Sequence, residues 1–440
     1  MIKNGNFNMG AAGAIPENWA FRSLYSNLDP VFKLSSFEGK PVLEVRGNGN
    51  ANCIGHLFTP VSLKRGETYI MKVLFHISPD VNPQQHLLFT CCSASNFSDF
   101  NNGIFKFKKL RDNWVSGEST FCLPGEGELD GEVRITYRLN PGGTVHISEI
   151  SLEKTEAIPA RPVKVACGSG SPAPGTWKEA WTAVFDKISG RSTDIFLLPE
   201  IFNDCLIETD GGPAMLFMAE QAKRHSMYLA GNTLYKDPAD GCVYNSTFLF
   251  DREGKKIGRY DKNHPFSNEM VNMGVSPGRE VPVFDTDFGR IGILCCYDSW
   301  FTDVAELLAL KGAEIILFPN AGYYRALMPA RAADNCVRII CSSLSYDCGI
   351  WDTSGADVCC PDLDPTRRSN CNTTFNDVLV EHVGVIKMLS AVLDLNQSPS
   401  PHNWGGPMMS APGGRRNRRD QHKLLTGEIQ KELERWWEEQ

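Results

Sequence analysis

The sequence predicts two domains of different class: an all-β jelly-roll sandwich over residues 1–155, and an α/β layered domain over residues 163–440. Three observations carry that expectation. The chain has 440 residues, too many for one ordinary core. Its first third shows short strand-like runs and almost no helical period. From about residue 163 strands and helices alternate, which is the rhythm of layered α/β folds.

In chain order, the β region reads as "PVLEVRG", "TYIMKVLFHIS", "HLLFTCCSA", "GIFKFKKL", "EVRITYRL" and "TVHISEISLEK", with Gly-Asn and Pro-Gly turns between them. Residues 156–162 form a short linker stiffened by Pro159 and Pro162. After it, "TWKEAWTAVFDKISG" predicts an amphipathic helix closed by Gly190. "TDIFLLPE" is a buried strand, "AMLFMAEQAKRHS" a helix, and "MYLAGNTLY" and "YNSTFLFD" strands. "RIGILCCYD" is a strand, "TDVAELLALKG" a helix with Thr302 as its N-cap, and "AEIILFPN" a strand. The tail carries a basic run, "GGRRNRRDQ", and a last helix with Ile429, Leu433, Trp436 and Trp437 on one side, an apolar stripe suited to docking.

Composition narrows the function classes. A formal net charge of -8 and a pI of about 5.7 argue against nucleic acid or an anionic membrane as partner. The sequence has no apolar run long enough for a spanning helix and no apolar region in its first residues, so a cytoplasmic location is expected. Fifteen cysteines without a C-x-x-C pair read as reduced, mostly buried thiols rather than a disulfide framework or a metal site.

Three strand ends carry chemistry. In a strand, successive side chains face opposite ways, so Cys295 and Cys296 cannot share one pocket. Cys296 stands at the strand's end near a helix start, where backbone N–H groups favour thiolate. Cys295 reads as core, and the plain alternative is that both thiols only fill space. Glu200 follows a buried strand, where a carboxylate is costly unless paired. Lys262 sits in a loop with His264 and Glu269. Together these groups supply a base, a cation and a nucleophile.

The stretches "DIFLLPE", "YLAGNTLY", "VYNSTFLFDREGKKIGRYDKNHP", "VPVFDTDFGRIGILCCYD", "AELLALKGAEIILFPNA" and "ARAADN" resemble, in order, the nitrilase superfamily of carbon–nitrogen hydrolases. The resemblance implies a four-layer α-β-β-α sandwich, commonly dimeric or larger, with no metal and no cofactor. It places the family's Glu-Lys-Cys triad on Glu200, Lys262 and Cys296, and its second glutamate on Glu269. It implies that Cys296, not Cys295, attacks an amide, carbamoyl or nitrile carbon, with Lys262 and the Tyr297 backbone N–H stabilising the oxyanion. Beyond the resemblance, Asp298 is expected to anchor the turn by pairing with a basic residue such as Arg331. The sequence departs from the family at "WFTD" after the nucleophile and at "VACGSGS" in the opening turn. The "CYD" form is closer to amidases and N-carbamoyl hydrolases than to nitrilases. The expected activity is therefore a cysteine-dependent amidohydrolase acting on a small amide or N-carbamoyl compound. Acyl transfer, nitrile hydrolysis, or a carbohydrate-recognition protein with a vestigial hydrolase domain are the alternatives.

The ends of the first domain, "IKNGNFNMG" and "VHISEISLEK", resemble carbohydrate-binding modules of the galactose-binding-like type. That resemblance makes Trp19 and Trp114, with Phe21, Tyr25 and Phe100, candidates for stacking on sugar rings, against the plainer alternatives that these rings pack in the core and that the module is a dimerisation or lid domain with weak or no glycan binding. Two motifs read as decoys. "GVSPG" has a proline after its serine and a strand next, so it is a turn rather than a serine-hydrolase elbow. The sequons "NST", "NFS" and "NTT" carry no meaning in a cytoplasmic protein.

Overall fold

The structure is a computed structural model and describes residues 2–396, except 24, 96–99, 105–106, 124, 346–347, 354 and 359–377. The predicted last helix with its basic run, the Cys359-Cys360 doublet and the sequons "NFS" and "NTT" fall outside the described residues. The chain divides into two compact units at Pro159/Ala160. No helix among the described residues is long and apolar enough to cross a membrane.

The first unit holds two antiparallel sheets. One runs in the order Ala20–Arg22, Ile54–Lys64, Glu128–Arg138, Leu87–Ser93, Asn101–Gly103. The other runs Val31–Phe37, Lys40–Arg46, Thr144–Thr155, Thr68–Ile77, Trp114–Cys122, Phe107–Lys109. Alternation explains their shared core. In the Thr68–Ile77 strand, Met71, Val73 and Phe75 point inward while Lys72 faces solvent. They meet Leu57, Phe89 and Val133 from the opposite sheet. Each such side chain contributes about 1.5–3 kcal/mol by burial.

In the second unit one sheet has its strands in the order Lys256–Asp261, Val243–Phe250, Tyr228–Lys236, Ile195–Leu197, Pro162–Ser169, Ile386–Asp394, Leu379–Val383. The other runs Val283–Asp285, Arg290–Ile293, Ile315–Asn320, Arg338–Ser343, Gly349–Trp351. Val165, Leu197 and Ala230 from the first meet Ile293, Leu317 and Ile340 from the second in one core. On the first sheet's other face lie the helices Trp177–Ile188 and Pro213–His225. Trp177, Trp181, Val184, Phe185 and Ile188 recur at helical spacing and are buried there. The helix ends where Gly190 takes φ 81°, a left-handed position that favours glycine. The helices Asp303–Leu310 and Leu327–Asn335 pack on the second sheet through Val304, Leu308, Met328 and Ala332. Thr302 does precede the first of these, but its side chain makes no capping bond.

Candidate active site

Glu200, Lys262 and Cys296 each stand just past a strand, at Ile195–Leu197, Lys256–Asp261 and Arg290–Ile293, so both sheets contribute. Glu200 and Lys262 are 2% and 1% exposed, which is tolerable only because they pair. Lys262 Nζ donates to Glu200 Oε1 at 2.9 Å and to Glu269 Oε2 at 2.6 Å. Burial works against the Lys262 ammonium, but the two carboxylates and neighbouring thiols hold its pKa well above the usual lysine range. Burial likewise raises the Glu200 carboxyl, and the Lys262 charge with its hydrogen bond outweighs it, leaving Glu200 below the usual carboxylate range.

Sequence reasoning missed a fourth member. Asn245, fully buried, donates to Glu200 Oε1 at 2.7 Å and to Glu269 Oε1 at 2.5 Å. It belongs to the sequon "NST" that reads as a decoy. The signal that would have found it is position: Asn245 lies in a buried strand beside Lys262, whose N–H donates to the Asn245 carbonyl. Asn232 holds Asn245 in turn, donating to its Oδ1 at 2.7 Å.

The thiols differ. Cys295 is 0% exposed, and its Sγ lies 3.4 Å from Glu200 Oε1. Cys296 is only partly buried, takes φ 43°, and directs its Sγ to the Gly322 carbonyl at 3.5 Å. A left-handed cysteine is strained backbone of the kind that exposes a side chain at a functional turn. Ile201, directly after Glu200, shares the feature with φ 51°. The Ala321 N–H donates to Glu200 Oε2 at 2.7 Å and also reaches the Cys296 thiol. The expected lowering of the Cys296 pKa is overturned. Burial, then the Glu200 charge, push its thiol up to about 12. The helical turn that begins at this cysteine is a five-residue 3-10 segment, Cys296–Trp300, too short to offset a neighbouring carboxylate.

Asp298 does meet a basic residue, but it is His264 and not Arg331. Asp298 Oδ2 accepts from the Cys295 N–H at 2.9 Å and from Tyr260 Oη at 2.6 Å. Its Oδ1 accepts from the His264 N–H at 2.8 Å and faces His264 Nδ1 at 2.9 Å. Local donors fill the carboxylate, and the carboxylate near Arg331 is Asp334, at 3.7 Å. Hydrogen bonding to Asp298 raises the His264 pKa. The "GVSPG" stretch is a turn, Gly274 ending the helix Ser267–Met273 and the Gly278 N–H donating to the Lys262 carbonyl at 2.8 Å. A Cβ on Gly278 would stand 2.1 Å from the Asp261 carbonyl oxygen, so this glycine lets the turn lie under Lys262. No group of three or more His, Cys, Asp or Glu among the described residues is placed to hold a metal ion.

The proposed sugar-stacking residues are not brought together. Trp19 is buried at 6% exposure against Phe7, with its indole N–H on the Asn4 carbonyl, and Phe100 is buried at 1%. Both fill the core and cannot meet a ligand. Phe21 rests against Phe32, and Tyr25 is exposed. Trp114 keeps an open edge beside His76 and Phe37.

Residues 171–344 match the family model described as carbon–nitrogen hydrolase, and this segment is a carbon–nitrogen hydrolase domain. Among curated proteins, the chain is 28% identical over 173 residues to nitrilase homolog 2 of Dictyostelium discoideum, covering 34% of this chain and 53% of that protein. It is 28% identical over 178 residues to the omega-amidase NIT3 of Saccharomyces cerevisiae, covering 34% and 61%. With the human omega-amidase NIT2 it shares 29% over 179 residues, covering 36% and 64%. The chain thus spans between 53% and 64% of the length of these relatives. The solved structure of Saccharomyces cerevisiae Nit3 is similar over 53% of this chain and 90% of its own, at 24% identity and a TM-score of 0.43.

Proposed function

We propose that the chain is a cysteine-dependent amidohydrolase that cleaves a non-peptide C–N bond, in an amide or an N-carbamoyl group, through a thioester. The observation that carries this reading is the buried Lys262 ammonium bridging Glu200 and Glu269 beside the partly open, left-handed Cys296. A vestigial site would have no reason to keep three buried charges satisfied.

Each residue has its own part in the chemistry. At rest Cys296 is a thiol and Glu200 a carboxylate, so the proton leaves sulfur for Glu200 Oε2 as the C–S bond forms. An ammonium has three N–H donors. Glu200 and Glu269 take two on Lys262, which leaves the third for the substrate oxygen as it becomes an oxyanion. The Tyr297 backbone N–H, one residue beyond the nucleophile, is the second oxyanion donor. As the C–N bond breaks, Glu200 returns its proton to the leaving nitrogen. Water then gives a proton to Glu200 and adds to the thioester carbon. Collapse releases the acid, and sulfur regains the proton. Glu269 and Asn245 hold Lys262 and Glu200 in place throughout.

The test is ammonia or amine release from a panel of aliphatic amides, N-carbamoyl amino acids, carbamoyl amines and nitriles, run beside Cys296→Ala. Release by the wild type alone is expected, with amides or carbamoyl compounds ranking first. Full turnover by Cys296→Ala would falsify the reading.

A second activity is supported in the first unit. Glu44, His146, His76 and Trp114 lie in one cross-strand row on the outer face of its sheet. Phe37 stacks on His146 at 4.3 Å. Beyond the row a trough of about 760 Å³ is lined by Lys72, Lys108, Glu118, Glu149 and Ser151 among others. Ring faces beside hydroxyl and charged groups suit a glycan. Retention on a polysaccharide affinity gel, lost in Trp114→Ala, is the expected result.

A further inference from the structure

Glu200 Oε1 receives two strong donors, Lys262 Nζ at 2.9 Å and Asn245 Nδ2 at 2.7 Å, and a third contact from Cys295 Sγ at 3.4 Å. We infer that Cys295 is a positioning residue: its buried S–H completes a three-donor grip on Oε1 that leaves Oε2 to take the Cys296 proton. This rests on the reading of Glu200 as the base.

The direction of the S–H follows from its surroundings. Asn232 Nδ2 lies 3.6 Å from Cys295 Sγ and donates to it. The sulfur's own hydrogen therefore has Glu200 Oε1 at 3.4 Å or Asn245 Oδ1 at 3.7 Å as acceptor. Glu200 is nearer and anionic, and Asn245 Oδ1 already accepts from Asn232, so the carboxylate wins. Burial, then the Glu200 charge, raise the Cys295 pKa well above the usual thiol range, so the group stays a donor. Its backbone is fixed as well. The Cys295 N–H donates to Asp298 Oδ2, and its carbonyl accepts from the Asp298 N–H at 3.0 Å. Asp298 is tied to Tyr260 and His264, so the clamp on the turn also aims the Cys295 side chain. The two adjacent cysteines then have complementary roles. Cys296 gives up its proton, and Cys295 turns the base toward it. A mere filler would be replaced without loss by a side chain of similar volume and no donor.

The titratable and charged groups facing Glu200 are Lys262, Cys295, Cys296 and Cys205, with Glu269 beyond Lys262 and Asp298 behind Cys295. Removing a donor to the charged form of a carboxylate raises its pKa. The experiment measures the pH dependence of kcat and kcat/KM, on the amide that the wild type turns over best, for full-length Cys295→Ser, Cys295→Ala and Cys295→Val. Loss of the donor is expected to lower kcat roughly tenfold with KM within about twofold, the range a hydrogen bond to a charged group commands. The acid limb should move upward in Ala and Val, and Ser, which keeps a donor, should restore both. Val keeps the volume, so the comparison stands if Ala fails to fold in a thermal melt. Wild-type kcat and acid limb in the Val variant, or a Ser variant as impaired as Val, would sink the inference. Cys296→Ala separates the two ideas: if it retains turnover, the reading of the site fails; if it is dead while Val is unimpaired, only the role of Cys295 fails.

Discussion

The charge cluster of the second unit and the ring-bearing row of the first treat polar side chains in opposite ways. The second unit seals its charges: Glu200, Lys262 and Glu269 are at most 7% exposed, and every carboxylate oxygen in the cluster accepts at least one hydrogen bond. The first unit leaves its ring-bearing row half open, and His76 Nδ1 and His146 Nδ1 have no hydrogen-bond partner among the described residues. A sealed, satisfied charge cluster holds its geometry at high cost and suits bond-making, because nothing need reorganise when charge develops. A half-open row of ring faces suits reversible contact.

The largest test of that contrast is Cys296→Ala, expected to cut turnover by at least roughly 10³-fold while the thermal melt stays within a few degrees. Next is Lys262→Met, which leaves two buried carboxylates facing each other. It should cost about 3–5 kcal/mol in denaturant unfolding as well as activity. A variant of near wild-type stability would show that the cluster is less sealed than its exposure suggests. In the first unit, Trp19→Ala should destabilise by about 3 kcal/mol, as a core truncation. Trp114→Ala, on the open row, should change stability by less than about 1 kcal/mol and affect only ligand retention. If the two tryptophans behaved alike, the distinction between core and platform would fall.

The smallest effect is one of pH. Glu200 lies below its usual value of 4.5, burial raising it and Lys262 more than offsetting that. A depressed carboxyl contributes stability above its unfolded value, and that contribution is lost as pH falls through the folded one. Melting temperature and turnover should therefore hold from neutral pH to about 4.5 and decline only below it. Lys262 acts on the other side: its contribution is complete below 10.5 and is lost only as pH rises further. His264, whose pKa Asp298 raises, adds stability rather than removing it as pH falls, so a decline already between about pH 7 and 5.5 would count against this account of the cluster.

Much of the candidate site is legible in the sequence alone. Glu200 and Cys296 each follow an apolar strand, Lys262 follows the polar strand Lys256–Asp261, and strand ends gather at one edge in α/β folds. Period and length also expose the helix Trp177–Ile188, because five apolar residues recur on one face. Other features are hidden for physical reasons. Asn245 sits in a strand buried on both faces, where no alternation marks a polar residue as special. Ile54–Lys64 and Trp114–Cys122 escape reading as strands, being interrupted by Pro60 and Gly117. The partner of Asp298 depends on which loop folds over the turn, a long-range fact that spacing does not encode. Trp19 looks like a platform residue because a tryptophan near a terminus carries no mark of its burial.

The interior strand Pro162–Ser169 pairs along its whole length with Ile386–Asp394, more than two hundred residues later. On a ribosome, the first of these strands emerges long before its neighbour exists. That side of the sheet stays open until Asp394 has cleared the exit tunnel. The edge of Pro162–Ser169 is exposed for that whole interval, a standing invitation to pair with another nascent chain. Recovery of turnover after dilution from denaturant should accordingly lag behind the return of helical signal, since closure over so long a loop is slow. A C-terminal truncation that removes Ile386–Asp394 would take out the seam of the domain rather than an appendage.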